Sequence, residues 1–85
     1  MDEPAPIEAA ILRLAAERGP DKSICPSEVA RALEADWRPL MAPVRRAAIR
    51  LALAGRIDIL RHGRPVGPDP VKGVIRLRAR ANKSP

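Results

Sequence analysis

The sequence contains no tyrosine and no phenylalanine, and Trp37 is its only aromatic residue. A core without aromatic rings has to be filled by isoleucine, leucine, valine, methionine and alanine. Cys25 is the single cysteine, so no disulfide can form within the chain. That usage fits a protein of the reducing cytoplasm, and we predict a small cytoplasmic protein with an aliphatic core.

Long hydrophobic runs are also missing. No apolar stretch approaches the ~18 residues that a transmembrane helix requires, and no charged segment followed by an apolar one opens the chain. We therefore expect neither a membrane span nor a secretion signal. The 85 residues correspond to one domain, and a chain of this length buries only about 60–65% of its unfolded surface. The core should therefore be compact.

Few side chains are suited to catalysis or metal binding. His62 is the only histidine, and no Cys, His or carboxylate cluster has the spacing of metal ligands. No glycine-rich phosphate loop follows a strand. Cys25 is more simply explained by packing or capping at a helix start, and His62 by its place in a loop. We expect no enzymatic activity, no metal and no cofactor.

Acidic residues are scarce in the second half of the chain. Residues 1–37 carry four basic and eight acidic side chains, a net charge of −4, whereas residues 38–85 carry twelve basic and two acidic ones, a net charge of +10. Such asymmetry indicates a positively charged surface in the second half. Double-stranded DNA is the commonest partner of such a surface, and an acidic protein is the next.

Apolar spacing, glycines and prolines divide the first part of the chain into helices. Apolar residues recur at intervals of three and four, Pro26 suits a first helical position, and Gly19 and Gly55 are typical helix ends. Prolines before the third helix favour an irregular turn. The predicted helices cover residues 6–18, 26–34 and 42–54, the last after an irregular turn at 36–41.

After Gly55 the apolar spacing changes to every second residue, which predicts strands at 57–60 and 74–78. Three glycines and three prolines within residues 61–73 exclude a helix between them, so this segment is predicted to be a long hairpin connection. Three helices followed by a two-stranded β-hairpin wing predict an α+β fold, the winged helix-turn-helix. A short third strand could form at residues 23–25.

This domain should span residues 6–78, with a loose tail at 1–5 and a basic disordered tail at 79–85. Over roughly residues 7–78 the chain resembles an uncharacterised bacterial family of short winged-helix proteins, catalogued as a domain of unknown function. The segments that carry the resemblance are Ile24–Leu33, Trp37–Met41, Val44–Ala48, Gly63–Val66 and Gly73–Leu77. The resemblance implies the winged-helix fold and no particular activity.

The first candidate site is the basic side of the third helix. Advancing by 100° per residue places its arginines away from the apolar inner face. In a winged helix this element lies in the major groove, where arginine can bond guanine or phosphate. A solvated surface is the alternative, and the first turn, with Trp37 and Leu40, is better suited to packing than to base reading. The candidates are Arg38, Arg45, Arg46 and Arg50.

The second candidate site is the wing, with Arg61, His62 and Arg64. Gly63-Arg64-Pro65 is similar to the minor-groove hook of some chromatin proteins, in which arginine lies along a narrow A·T groove. His62 departs from that motif, which carries an arginine there. A simple Gly-Pro turn, or arginines that touch phosphates without reading sequence, are the alternatives.

These patterns favour a DNA-binding winged-helix protein, for which transcriptional regulation is a possible role. The alternative is a winged-helix protein-interaction module without a nucleic-acid role. Its contact surface would be apolar and consist of Trp37, Leu40, Ile49 and Leu53. For Trp37 the sequence also allows a stacking platform, although a lone aromatic at a helix start is more often an anchor between helices.

Overall fold

Three helices precede an antiparallel sheet in the computed structural model, which describes residues 5–67 and 73–80. This arrangement confirms the predicted α+β class and is compatible with a winged helix. The elements are α1 (Ala5–Arg18), α2 (Pro26–Leu33), a 3-10 turn (Arg38–Leu40), α3 (Met41–Leu53), β1 (Ile57–Arg61), β2 (Arg64–Val66) and β3 (Arg76–Ala79).

Proline, glycine and a capping carboxylate determine where the helices begin and end. Pro26 occupies the first position of α2, where a missing N–H costs nothing. The carboxylate of Glu28 accepts a 3.0 Å hydrogen bond from the Cys25 N–H, which holds the pKa of Glu28 below its usual value. Gly55 ends α3 with a φ of +78°, a conformation that glycine adopts without a Cβ clash.

The irregular turn expected before the third helix is the 3-10 turn. The Leu40 N–H donates to the Trp37 carbonyl at 2.9 Å, and α3 follows without a break. Pro39 is the second residue of this turn, and it leaves the hydrogen-bond ladder intact, because the first N–H that the turn needs is that of Leu40. The buried face of α3 then consists of Val44, Ala47, Ala48 and Leu51.

The sheet has β1 at its centre, with β2 on one side and β3 on the other. β1 pairs with β3 from Ile57↔Ala79 to Leu60↔Arg76. The short strand expected at residues 23–25 is a one-residue bridge, in which Ile24 and Leu77 exchange two 2.8 Å backbone hydrogen bonds. This bridge joins the α1–α2 connection to the sheet.

The sheet differs from the expected two-stranded hairpin, because β2 lies inside the segment assigned to a long connection. All three residues of β2 are exposed, so they lack the apolar alternation that identifies a half-buried strand. β3 also begins later than expected, at Arg76. Val74, placed in the strand by its sequence, is 85% exposed and precedes the sheet.

The C-terminal boundary of the fold lies beyond residue 78. Ala79 belongs to β3, and the Arg80 N–H donates to the Arg56 carbonyl at 3.3 Å. The predicted basic tail includes both residues, whereas the structure places them at the sheet. Residues 1–4 and 81–85, the remainder of the two predicted tails, lie outside the described part of the chain.

The core is aliphatic and lies between the helices and the inner face of the sheet. Its buried residues come from all three helices, the Ile24 bridge, β1 and β3, and no polar side chain among the described residues is buried. Trp37 packs only at the edge of this core. None of the helices within residues 5–67 and 73–80 combines the length and apolar content needed to cross a bilayer.

Leu77→Ala should destabilise the fold strongly, since Leu77 is 0% exposed and its removal leaves a cavity between sheet and helices. We expect the free energy of unfolding to fall by about 2–5 kcal/mol. Leu53→Ala is the matched control, because Leu53 is 71% exposed, and it should change stability by less than about 0.5 kcal/mol. Urea unfolding followed by circular dichroism measures both; equal effects would contradict this core.

Candidate nucleic-acid interface

Three carboxylates, one each on α1, α2 and β1, form ion pairs with arginines of other parts of the fold. Glu8 in the first turn of α1 accepts a 2.8 Å bond from Arg50 Nε, so that α1 neutralises a cation of α3. Glu28 binds Arg18 at 2.6 Å. The third carboxylate, Asp58 on β1, holds two arginines at once. The arginines engaged in this way are therefore the less available ones for an external anion.

Asp58 lies at the cross-strand position opposite Arg78. Its carboxylate accepts bonds of 2.7 Å from Arg80 Nη2 and 3.0 Å from Arg78 Nη2. The bond from Arg80 is the main cause that lowers the pKa of Asp58, with Arg78 adding to it against the effect of burial. This cluster ties the end of β3 to β1.

The exposed side of α3 is centred on Arg46. Arg46 has no hydrogen bond or ion pair within the described residues, and Ala42, one turn earlier, is exposed and small. Arg50 shares this side but is bound to Glu8. Arg45 is half-buried and donates to the Gly73 carbonyl at 3.3 and 3.4 Å. The four candidate arginines of the third helix therefore differ in exposure and in hydrogen-bond partners, and they do not form one continuous exposed row.

Arg38 lies in the 3-10 turn before α3, over an aromatic ring. Its guanidinium carbon lies 4.9 Å from the centroid of the Trp37 ring, and Arg31 of α2 lies 4.6 Å from the same centroid. Both distances are within the range of cation–π attraction. Trp37 is therefore a half-buried joint between α2 and the 3-10 turn that also positions two exposed cations.

The wing is a tight hairpin in which His62 and Gly63 form the whole loop between β1 and β2. Their φ values are +52° and +79°, and a two-residue turn of type I′ requires positive φ at both positions. Histidine is among the residues that enter the left-handed region more readily than most. All residues from Arg61 to Val66 are exposed, so the hairpin projects into solvent.

Arg61 and Arg64 face each other directly across this hairpin. Like charges in opposed positions destabilise a strand pair, and neither side chain has an acidic partner within the described residues. A Cβ built on Gly73 would lie 4.0 Å from Arg61 Nη2, so Arg61 approaches the same residue whose carbonyl binds Arg45. The side chains of Arg45 on α3 and Arg61 on the wing therefore both lie close to Gly73.

The four residues of the predicted protein-contact surface are not gathered into one patch. Trp37 and Leu40 lie at the start of α3 and pack against the edge of the core. Ile49 is also partly buried against the core, whereas Leu53 is exposed in the last turn. At 1.5 Å per residue, Leu53 lies roughly 20 Å along the helix from Leu40.

A groove that sequence reasoning did not identify lies between the starts of α2 and α3 and the segment before β3. It has a volume of about 300 Å³, and we call it the α2–α3 groove. Its apolar lining includes Trp37, Met41, Val74 and Ile75, and Arg45 also belongs to the lining. These residues are far apart in sequence, so only the tertiary fold brings them together.

The two residues with reactive side chains do not form a joint site. Cys25 lies beside the start of α2, with its Sγ 3.2 Å from Ser27 Oγ, as expected for a packing or capping residue. His62 lies at the exposed tip of the wing. Within residues 5–67 and 73–80, no group of three His, Cys, Asp or Glu side chains is placed to hold a metal ion.

A comparison with protein-family models gives one match, to a family described as "Protein of unknown function (DUF3253)", over residues 4–80. The chain belongs to this family. The predicted membership in a family of unknown function is thereby confirmed. A search of curated proteins found no match.

Acid should weaken the fold partly through Asp58. Because its pKa is lowered in the folded protein, the ionised carboxylate stabilises the fold above the pKa of an unfolded aspartate, and this contribution is lost as pH falls through the lower, folded value. Asp58→Asn should reduce the loss of stability between about pH 5 and about pH 2.

Thermal unfolding across this range measures the effect. Asp21→Asn is the control, since Asp21 is exposed and has no ion pair among the described residues; it should retain the pH dependence of the unmodified protein. An Asp58→Asn variant that follows the same pH curve as the control would show that the cluster with Arg78 and Arg80 contributes nothing.

Proposed function

We propose that this protein is a non-enzymatic winged-helix protein of the cytoplasm that binds double-stranded DNA through α3 and the β1–β2 wing. The observation that carries the proposal is the directly opposed pair Arg61 and Arg64 on an exposed hairpin. Their repulsion is unrelieved by any described carboxylate. An anionic partner removes that repulsion and gains two charge-assisted contacts.

The second support is the alignment of this wing with α3. Arg46 is exposed beside Ala42, whose small side chain allows a backbone to approach closely, and Arg61 of the wing lies near Gly73, whose carbonyl binds Arg45 of α3. We expect a phosphate backbone that runs past the helix and the wing to contact Arg46, Arg61 and Arg64. These three form the proposed contact set.

The same geometry favours phosphate contacts over base reading. Arg50 is bound to Glu8, and the start of α3 carries the packing residues Trp37 and Leu40. Base-edge recognition needs several side chains aligned in one groove, whereas phosphate contacts need only positive charge at the right spacing. We infer binding with little sequence preference, as would suit a regulatory or architectural role at DNA.

A labelled 20-base-pair duplex titrated with the protein should show affinity that falls steeply with salt. Three phosphate contacts predict a slope of log K against log salt near −3, or about 40-fold weaker binding at 200 mM than at 50 mM salt. Arg46→Gln, Arg61→Gln and Arg64→Gln should each make the slope about 0.9 shallower. Fluorescence anisotropy measures both quantities.

The matched control is Arg13→Gln on α1, which removes the same charge from an exposed side chain whose only ion pair in the described residues is a 4.0 Å contact with Glu17. It should leave the slope unchanged. Absence of binding at 50 mM salt would overturn the proposal. So would an equal effect of Arg13→Gln and the three substitutions, because net charge alone would then explain binding.

A protein-interaction role is the second candidate, and exposed Leu53 is the observation in its favour. A leucine that is 71% exposed at the end of α3 offers an apolar contact beside the basic side of the helix. For such a module, Leu53→Glu should abolish capture of the partner, whereas Ala54→Glu at the next exposed position should not. Retained capture by Leu53→Glu, measured by pull-down, would reject this surface.

A further inference from the structure

Trp37 holds two exposed arginines that belong to different elements. The guanidinium carbons of Arg31, on α2, and Arg38, in the 3-10 turn, lie 4.6 and 4.9 Å from the centroid of the indole ring. The ring itself is half-buried and packs against the edge of the core. It therefore fixes both cations relative to the fold, and we call the three side chains the Trp37 cluster.

Neither guanidinium of the Trp37 cluster is neutralised by a carboxylate. In the described part of the chain, Arg31 and Arg38 have no hydrogen bond and no ion pair, unlike the arginines that bind Glu8 and Glu28. Attraction to an aromatic ring uses the charge of a guanidinium and supplies no oxygen acceptor for its N–H donors. Two positive charges with unused donors are thus exposed on one small surface.

The exposed side of α3 continues into this cluster. Arg38 precedes Ala42 by four residues and Arg46 by eight, all three are exposed, and the 3-10 turn passes into α3 without a break. Residues at intervals of four lie on one side of a helix. At about 1.5–2 Å per residue, Arg38 lies roughly 12–14 Å along the axis from Arg46, close to the ~12 Å width of the major groove of B-DNA.

We propose that the Trp37 cluster is a second phosphate-binding surface of the DNA interface, in which Arg31 and Arg38 each contact a backbone phosphate. The inference rests on the proposed function, because it adds contacts on the same duplex. Trp37 is the positioning residue: a guanidinium that is already held in place loses less rotamer freedom when it binds a phosphate than a mobile one does. The duplex is thereby held from α2 and the turn as well as from Arg46 and the wing.

The salt dependence of duplex binding by the full chain counts the contacts. Five phosphate contacts predict a slope of log K against log salt near −4.5, or about 500-fold weaker binding at 200 mM than at 50 mM salt. Three contacts predict a slope near −3 and a loss of about 40-fold. Arg31→Gln and Arg38→Gln should each make the slope about 0.9 shallower, and Arg13→Gln, the matched control, should leave it unchanged.

Trp37→Leu tests the positioning role of the ring. The change leaves both charges in place and frees their side chains, so affinity for the duplex at 50 mM salt should fall about fivefold. In a chain that carries both Arg31→Gln and Arg38→Gln, the same change should weaken binding less than about twofold, because no cation remains to be positioned. A simple loss of fold stability would weaken binding equally in the two backgrounds.

The outcomes separate this inference from the proposed function. A slope near −3 that becomes shallower with Arg46→Gln and is unchanged by Arg31→Gln and Arg38→Gln would overturn the inference and leave the function standing. Equal effects of Arg31→Gln, Arg38→Gln and Arg13→Gln would overturn it as well. Equal effects of Trp37→Leu in the two backgrounds would reject the positioning role. Absence of duplex binding at 50 mM salt would overturn both the function and the inference.

Discussion

The backbone bridge between Ile24 and Leu77 is the interaction on which the rest of the structure depends. It is formed by two hydrogen bonds of 2.8 Å, and both side chains are fully buried. Leu77 also pairs with Ile59 on its other side, so β3 is held from both edges. Without this bridge, the α1–α2 connection would lose its backbone link to the sheet, and β3 would be hydrogen-bonded on one side only.

A core built without aromatic rings makes that link more important. Aliphatic side chains bury less area each than Phe or Tyr does, so many small contacts have to act together, from Ile11 in α1 to Ile75 before β3. The surface is then stabilised by ion pairs at three points, each of which holds one element to another. The carboxylates Glu8, Glu28 and Asp58 thus serve the fold and also determine which arginines face solvent unopposed.

The helices could be predicted because their signals are local. Pro26, Gly19 and Gly55 mark boundaries within one or two residues of those observed, since proline and glycine act through backbone geometry alone. β2 could not be predicted, because Arg64-Pro65-Val66 is exposed and is a strand only through its pairing with β1. β2 forms only because a two-residue turn precedes it, and a histidine at the first position of that turn does not indicate such a turn in the sequence.

The candidate interface shows the same division between local and tertiary information. Residue types and helical spacing were enough to propose Arg46 and the wing arginines. The bond from Arg50 to Glu8 joins residues 42 positions apart, and the approach of Arg45 and Arg61 to Gly73 depends on how the wing folds back. A sequence shows which cations are present, whereas the carboxylates that oppose them become known only from the packing of α1 and β1.

The position of the lone indole determines how this protein can be observed. Trp37 lies at the joint between α2 and the 3-10 turn and outside the fully buried core, while the core itself contains no chromophore that absorbs in the near ultraviolet. Intrinsic fluorescence will therefore report the opening of this joint, and far-ultraviolet ellipticity will report the loss of the helices. In most proteins these two signals report on the same unfolding event, whereas in this fold they report on two different regions of the molecule.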